Sequence, residues 1–255
     1  MKFDLKFSEN AQKLDLDFGQ YQDLTDGGYE RGYVDGKQAE KLEFWNAFTN
    51  NQKRTDYSYA FYNWYSNAFY PTCDIGGTNM SRAFYMCGTI DLITRCRECG
   101  IVIDFSKATN VHYCFGSSNI LTIPTVDLSK TTTTVILEGT FNNSKLLTTI
   151  EKLIVTEKVK YNNNTFNCIA LEEIRFEGVI ASDITFQYCP LLSLESAKDI
   201  INHLSTDTSG LTVTLPKVAV NREFGINVDD PFTYPEGSEW YELRNSRSNW
   251  TFNFS

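Results

Sequence analysis

The residue types in this chain that could do chemistry gather in one short stretch, where Cys96-x-x-Cys99 is followed by His112-x-Cys114. A Cys-x-x-Cys knuckle with a later His and Cys supplies the donors that tetrahedral zinc takes. A different role competes for them. Cys114 directly precedes Phe115, an aromatic in a recurring phrase described below, and Arg95-Cys-Arg-Glu-Cys99 reads as an insertion that lengthens one copy of that phrase. The expectation is reduced, buried thiols and no bound metal. The total of seven cysteines is odd, so a complete intramolecular disulfide set is impossible.

No other catalytic signature is present. His112 and His203 lie in different segments, neither within an HExxH helix nor a nucleophile elbow, and the sequence has no GxGxxG or Walker loop. Carboxylates are plentiful, which leaves a glycosidase pair as an open alternative. The expectation is no catalytic residue, no cofactor and no enzyme. The stronger signal is aromatic. Tyr57, Tyr59, Phe61, Tyr62, Trp64, Tyr65, Phe69 and Tyr70 crowd one short segment. Sugar rings pack on aromatic faces, so Tyr57, Tyr59, Tyr62, Trp64 and Tyr65 are the candidate binding residues. The alternative role for the same segment is a wedge that covers the end of a repeat array.

The elements that would position these residues are repeats. Ile103-Asp-Phe-Ser-Lys-Ala-Thr109 returns as Val126-Asp-Leu-Ser-Lys-Thr-Thr132, 23 residues later, and that is the length of one leucine-rich repeat. Alongside it runs an aromatic followed at +3 by Cys or Ser and at +6 by an aliphatic. It reads Phe84/Cys87/Ile90, Phe115/Ser118/Leu121, Phe141/Ser144/Leu147 and Phe186/Cys189/Leu192, with a copy one residue shorter at Phe166/Cys168/Leu171. The expected fold is α/β, a solenoid with parallel strands over residues 78–194. In each repeat the aliphatic part, as in Leu147-Thr-Thr-Ile150 or Leu171-Glu-Glu-Ile174-Arg-Phe176, forms the strand. The Phe-x-x-Cys part forms the turn opposite, and stacking builds ladders of Phe and Leu.

Flanking modules complete the plan. Residues 1–50 hold two alternating runs (Phe3, Leu5, Phe7 and Leu14, Leu16, Phe18), a stripe of Gly28, Gly32 and Gly36, and a helical pattern from Lys37 to Asn50. They are expected to form a hairpin and helix that attach the chain to another protein or to a second copy. Residues 51–77 are the aromatic cap segment. Residues 195–255 are a helix-strand cap, with Ser196 and Asp199 matching a capping box and Leu211-Thr-Val-Thr-Leu215 alternating as a strand.

A net charge of −9 and a pI near 4.8 leave no basic stripe for a phosphate backbone, so nucleic acid is not an expected partner. No apolar window approaches the length of a membrane span, and membrane insertion is not expected. The start, Met1-Lys-Phe-Asp-Leu-Lys-Phe-Ser-Glu9, lacks an apolar signal core, which places synthesis in the cytoplasm.

Thr78-Asn-Met-Ser-Arg-Ala-Phe-Tyr-Met-Cys87, Ala108-Thr-Asn-Val-His-Tyr-Cys-Phe115 and Val126-Asp-Leu-Ser-Lys130 resemble BspA-like leucine-rich repeats. The short Phe166 copy and the long interval before Phe115 depart from that pattern. The resemblance implies an adhesion module without catalytic residues. The flanks, Gly28-Tyr-x-x-Gly-Tyr-x-Asp-Gly-Lys37 and Gly237-x-Glu-Trp240, resemble proteins encoded in tail regions of phages and prophages of gut Gram-positive bacteria. That likeness implies a non-enzymatic virion protein at the tail tip or baseplate. Its N-terminal module would dock on other tail proteins, and its repeats would meet a bacterial surface glycan or protein receptor. The alternative is a surface or adhesion protein of the bacterium itself.

Overall fold

The repeated Asp-x-Ser phrase is a turn former, because a short carboxylate or amide side chain can accept a hydrogen bond from the backbone two residues on. In the computed structural model, which describes residues 56–64, 75–88, 92–98 and 100–255, each copy does so. Oδ1 of Asp56, Asp104 and Asp127 accepts from the N–H of Ser58, Ser106 and Ser129 at 2.8 Å, and Asn79 and Asn110 do the same at 3.2 Å. Partial burial opposes ionisation of Asp104. The hydrogen bonds from Ser106 and the charges of Lys107 and Lys130 outweigh it and hold the carboxyl below the ordinary aspartate range. All described residues fall within one compact unit, Gln38–Ser255. The hairpin, glycine stripe and helix expected over 1–50, together with Tyr65 and Cys99, lie outside the described residues.

From each such turn the chain runs into a coil that stacks on the next. The N–H groups of Tyr57, Tyr59, Phe61 and Asn63 donate to the carbonyls of Asn79, Ser81, Ala83 and Tyr85. Met80, Arg82, Phe84 and Met86 donate to Asn110, His112, Cys114 and Gly116 in the same way, and Phe115 and Phe141 donate to Thr140 and Thr165. One phenylalanine per coil then falls directly over the last. Phe61, Phe84, Phe115, Phe141, Phe166 and Phe186 stack with centroids 4.5 to 6.0 Å apart and planes 4 to 21° from parallel. All six are buried. Among the described residues the column starts at Phe61, so residues 56–64 are themselves a stacked coil and stacking is present before residue 78.

The small residue three places after the aromatic, or two in the shorter Phe166 copy, has a second role. It reaches back to the preceding coil: Ser144 Oγ donates to the Phe115 carbonyl at 2.6 Å, Cys168 Sγ to Phe141 at 2.9 Å and Cys189 Sγ to Phe166 at 3.0 Å. Ser118 holds the same place, yet its buried hydroxyl has no partner. Removing a buried hydroxyl is damaging only where it was bonded. Ser144→Ala should therefore lower unfolding free energy by about 1 kcal/mol, while Ser118→Ala should be neutral or stabilising. Urea unfolding of the two variants side by side checks this, and equal losses would contradict it.

Short strands line the opposite side. Strands β1 (Ile75–Gly76) and β2 (Ile103–Asp104) pair in parallel. β3 (Thr122–Ile123) and β4 (Val126–Asp127) both pair with β6 (Thr149–Val155), which pairs in turn with β8 (Glu173–Gly178). β5 (Val135–Ile136) pairs with β7 (Val159–Lys160). Ile123, Ile150 and Ile174 share one register position and are buried, the aliphatic counterpart of the phenylalanine column. Among the described residues every strand pairing is parallel, and the class is mixed α/β. Helix α1 (Leu92–Glu98) overlaps the stretch read from sequence as an insertion.

At the C-terminal end a helix replaces the next strand. α2 (Leu194–His203) is capped by Ser193, whose side chain accepts from the Ser196 N–H. The capping box expected at Ser196 and Asp199 does not form, because tertiary partners claim both side chains. Ser196 Oγ accepts from Ile174 N–H and donates to the Glu172 carbonyl, and the Asp199 carboxylate accepts from Phe176 N–H at 2.6 Å. These bonds satisfy the free edge of β8. A further parallel sheet follows, in the order β11 (Trp250–Phe254), β10 (Leu211–Leu215), β9 (Ile184–Thr185). Helices α3 (Lys217–Phe224) and α4 (Glu239–Asn245) accompany it, with buried Trp240 packed among Phe224, Phe252 and Phe254. No helix among the described residues is long and apolar enough to cross a membrane.

Candidate binding surface

The turn side of each coil is made of two consecutive four-residue turns. In the Phe84 coil, Ala83 N–H donates to the Met80 carbonyl and Cys87 N–H to Phe84, and the third residue of each turn, Arg82 and Met86, has φ of 52° and 54°. Tyr59 and Asn63, Tyr113 and Ser117, and Gly139 and Asn143 repeat the geometry. Gly and Asn suit that left-handed position, and other residues are strained there by about 1 kcal/mol or more each. The array uses Gly139, Asn63 and Asn143 at three of these places. Tyr59, Arg82, Met86, Tyr113 and Ser117 take the strain instead, and of these Tyr59, Arg82 and Tyr113 form one column.

That column is tightly built. The Arg82 guanidinium lies between two phenol rings, its Cζ 5.5 Å from the centroid of Tyr59 and 5.4 Å from that of Tyr113, and its Nη1 donates to Tyr59 Oη at 3.0 Å. Beside it, Tyr62 and Tyr85 stack at 5.7 Å with planes 14° apart, and Tyr85 meets Tyr113 edge to face at 6.1 Å. Glycines on the next coil make room for the rings. A Cβ on Gly139 would lie 2.4 Å from Tyr113 Cε1, and one on Gly116 would lie 3.0 Å from Tyr85 Cδ2. All four tyrosines and Arg82 are half-buried, so each packs on the array and still presents surface.

Polar groups continue the same edge. Asn167 Nδ2 donates to Asn142 Oδ1 at 3.1 Å, and Asn143 Nδ2 to Ser117 Oγ at 3.4 Å. His112 Nδ1 lies 3.7 Å from Glu138 Oε2. Aromatic edges, a fixed guanidinium and amide side chains on one rigid edge suit recognition of a ring that carries polar substituents. No family model, curated protein or solved structure matches the chain.

The structure divides the residues expected to bind. Tyr59 and Tyr62 stand on this edge. Tyr57 and Trp64 are core residues, with 5% and 1% of their surface exposed, so neither can offer a ring face to a ligand. Arg82, Tyr85 and Tyr113 were missed. Aligning the copies on the phenylalanine puts Tyr59, Arg82, Tyr113 and Gly139 two places before it, and Tyr62, Tyr85, Gly116, Asn142 and Asn167 one place after it. That alignment was the available signal, but residue type changes along each column and hides it.

The zinc-like set does not assemble among the described residues. Cys96 and Cys114 are buried in the core, while His112 stands on the surface beside Glu138. No group of three metal-ligating side chains occurs among the described residues. Burial pushes the Cys189 thiol up to about 12 and the Cys114 and Cys168 thiols upward as well, so all three are neutral packing groups at neutral pH. His203 lies within its own helix, Nδ1 2.8 Å from the Asp199 carbonyl.

Proposed function

We propose that the chain is a leucine-rich-repeat solenoid of the BspA-like kind. On this reading it serves, without enzymatic activity, as a virion protein at the tip or baseplate of a phage tail, where it contacts a bacterial surface. The observation that carries the binding role is the Tyr59, Arg82, Tyr113 column. Stability alone favours Gly or Asn at those left-handed positions, as at Gly139 and Asn143, so three strained residues whose side chains meet on the outer edge speak for a use of that edge. Stacked coils suit the task, since each coil holds its neighbour's side chains in place and the ligand need not order them.

The virion location is supported by the resemblance of both flanks to phage tail proteins. Residues 1–50 would then join the chain to other tail proteins or to a second copy, leaving the turn edge for a surface glycan or protein receptor. Mass spectrometry of purified particles from the source organism tests this placement. The chain should be present in intact particles. Absence from them, with abundance in the cell envelope, would replace the virion reading by that of a bacterial surface protein.

A further inference from the structure

In this chain of net charge −9, several lysine and arginine side chains are paired with carboxylates. Arg97 is held by both oxygens of Glu151, Arg222 by Glu223, and Lys152 by Glu177. Arg82 has no carboxylate within ion-pair distance among the described residues. Glu138, one coil further on, is directed to His112 instead. The only side-chain oxygen that Arg82 reaches among the described residues is the neutral phenol of Tyr59, through one of its several N–H groups.

The arrangement fixes the guanidinium without neutralising it. The ring faces of Tyr59 and Tyr113 attract the cation and restrict its rotamers, yet they accept none of its in-plane N–H bonds. A planar fork held this way matches the geometry of a carboxylate or phosphate. Tyr62 already stacks on Tyr85 and Arg82 lies over Tyr113, with glycines close against both rings, so these tyrosines offer a sugar their exposed edges and hydroxyls, and Asn142 and Asn167 lie further along the same edge. We propose that this edge is a subsite for an acidic saccharide, with Arg82 taking the anionic group and the tyrosines taking the ring. The inference rests on the reading of the chain as a surface-binding protein, and it names the chemical class of the ligand.

Titration calorimetry on the full chain with three probes tests it: an oligogalacturonate, a poly(glycerol phosphate) and a neutral maltodextrin. Binding to an anionic probe that weakens as salt is raised is expected, with the neutral probe far weaker. Preference between the two anionic probes tells carboxylate from phosphate. Arg82→Gln should weaken binding about ten- to a hundredfold, and Arg82→Lys, which keeps the charge but loses the fork, should fall between. The urea midpoint of each variant shows that it is folded, and the lysine variant serves if the glutamine variant is not. Equal binding of the neutral probe, or anionic binding indifferent to Arg82, would overturn the subsite. Binding to neither anionic probe by a chain that still adheres to bacterial cells would overturn the subsite alone, and failure to adhere to cells as well would overturn the surface-binding reading with it.

Discussion

Phe141→Ala should lower the free energy of unfolding by about 3–5 kcal/mol. Phe141 is the middle rung of the aromatic column, fully buried, with Phe115 6.0 Å away on one side and Phe166 5.5 Å away on the other. Neither neighbour can collapse into the gap, because each is fixed by its own coil's backbone bonds to the adjacent coils. The cavity therefore stays open, which is the condition under which large-to-small substitutions are most damaging. A loss below about 1 kcal/mol in denaturant unfolding would mean that the column does not carry the core.

Gly178→Ala should be destabilising by about 3 kcal/mol or more, although only one methyl is added. Gly178 ends β8 opposite Val155 of β6, with φ of 92°, and a Cβ there would lie 2.0 Å from the Val155 carbonyl oxygen. The obstacle is backbone, so no side-chain rotation relieves it. Gly210 provides the contrast, since its φ of 76° is equally left-handed but nothing lies within 4 Å of the added Cβ. Gly210→Ala should therefore cost only the conformational part, about 1 kcal/mol. Thermal or urea unfolding of both variants separates the terms, and equal losses would show that β6 and β8 do not approach as closely as described.

The parts of this architecture that were legible in the sequence are those where one residue type recurs in one place. Phe84, Phe115, Phe141, Phe166 and Phe186 announce the column because a buried aromatic stack tolerates little else, and Asp104 and Asp127 announce the repeat, although the turn that each makes was not read from them. The candidate binding edge was only half legible. Tyr59 and Tyr62 stood out in a crowded aromatic segment, but so did Tyr57 and Trp64, and alternation within a coil is what sends the second pair inward. Tyr85 and Tyr113 stand singly, and neither Tyr nor Arg signals a positive φ. The start of α2 illustrates a different obstacle. Both Ser193 and Ser196 have a suitable partner three residues on, and the choice between them is made by Glu172, Ile174 and Phe176 on a neighbouring strand.

The most direct test of the proposed surface-binding role is the adhesion of the labelled full chain to intact bacterial cells from the source of the chain, compared with a Tyr85→Ala/Tyr113→Ala variant. Both rings lie over glycines at the edge rather than in the core, so the variant should keep its fold, as near-native unfolding would show. Saturable binding by the natural chain, a drop of about tenfold or more in the variant, and no release of wall fragments are expected. Equal binding by the two proteins, or release of soluble saccharide from the cells, would contradict the proposed role.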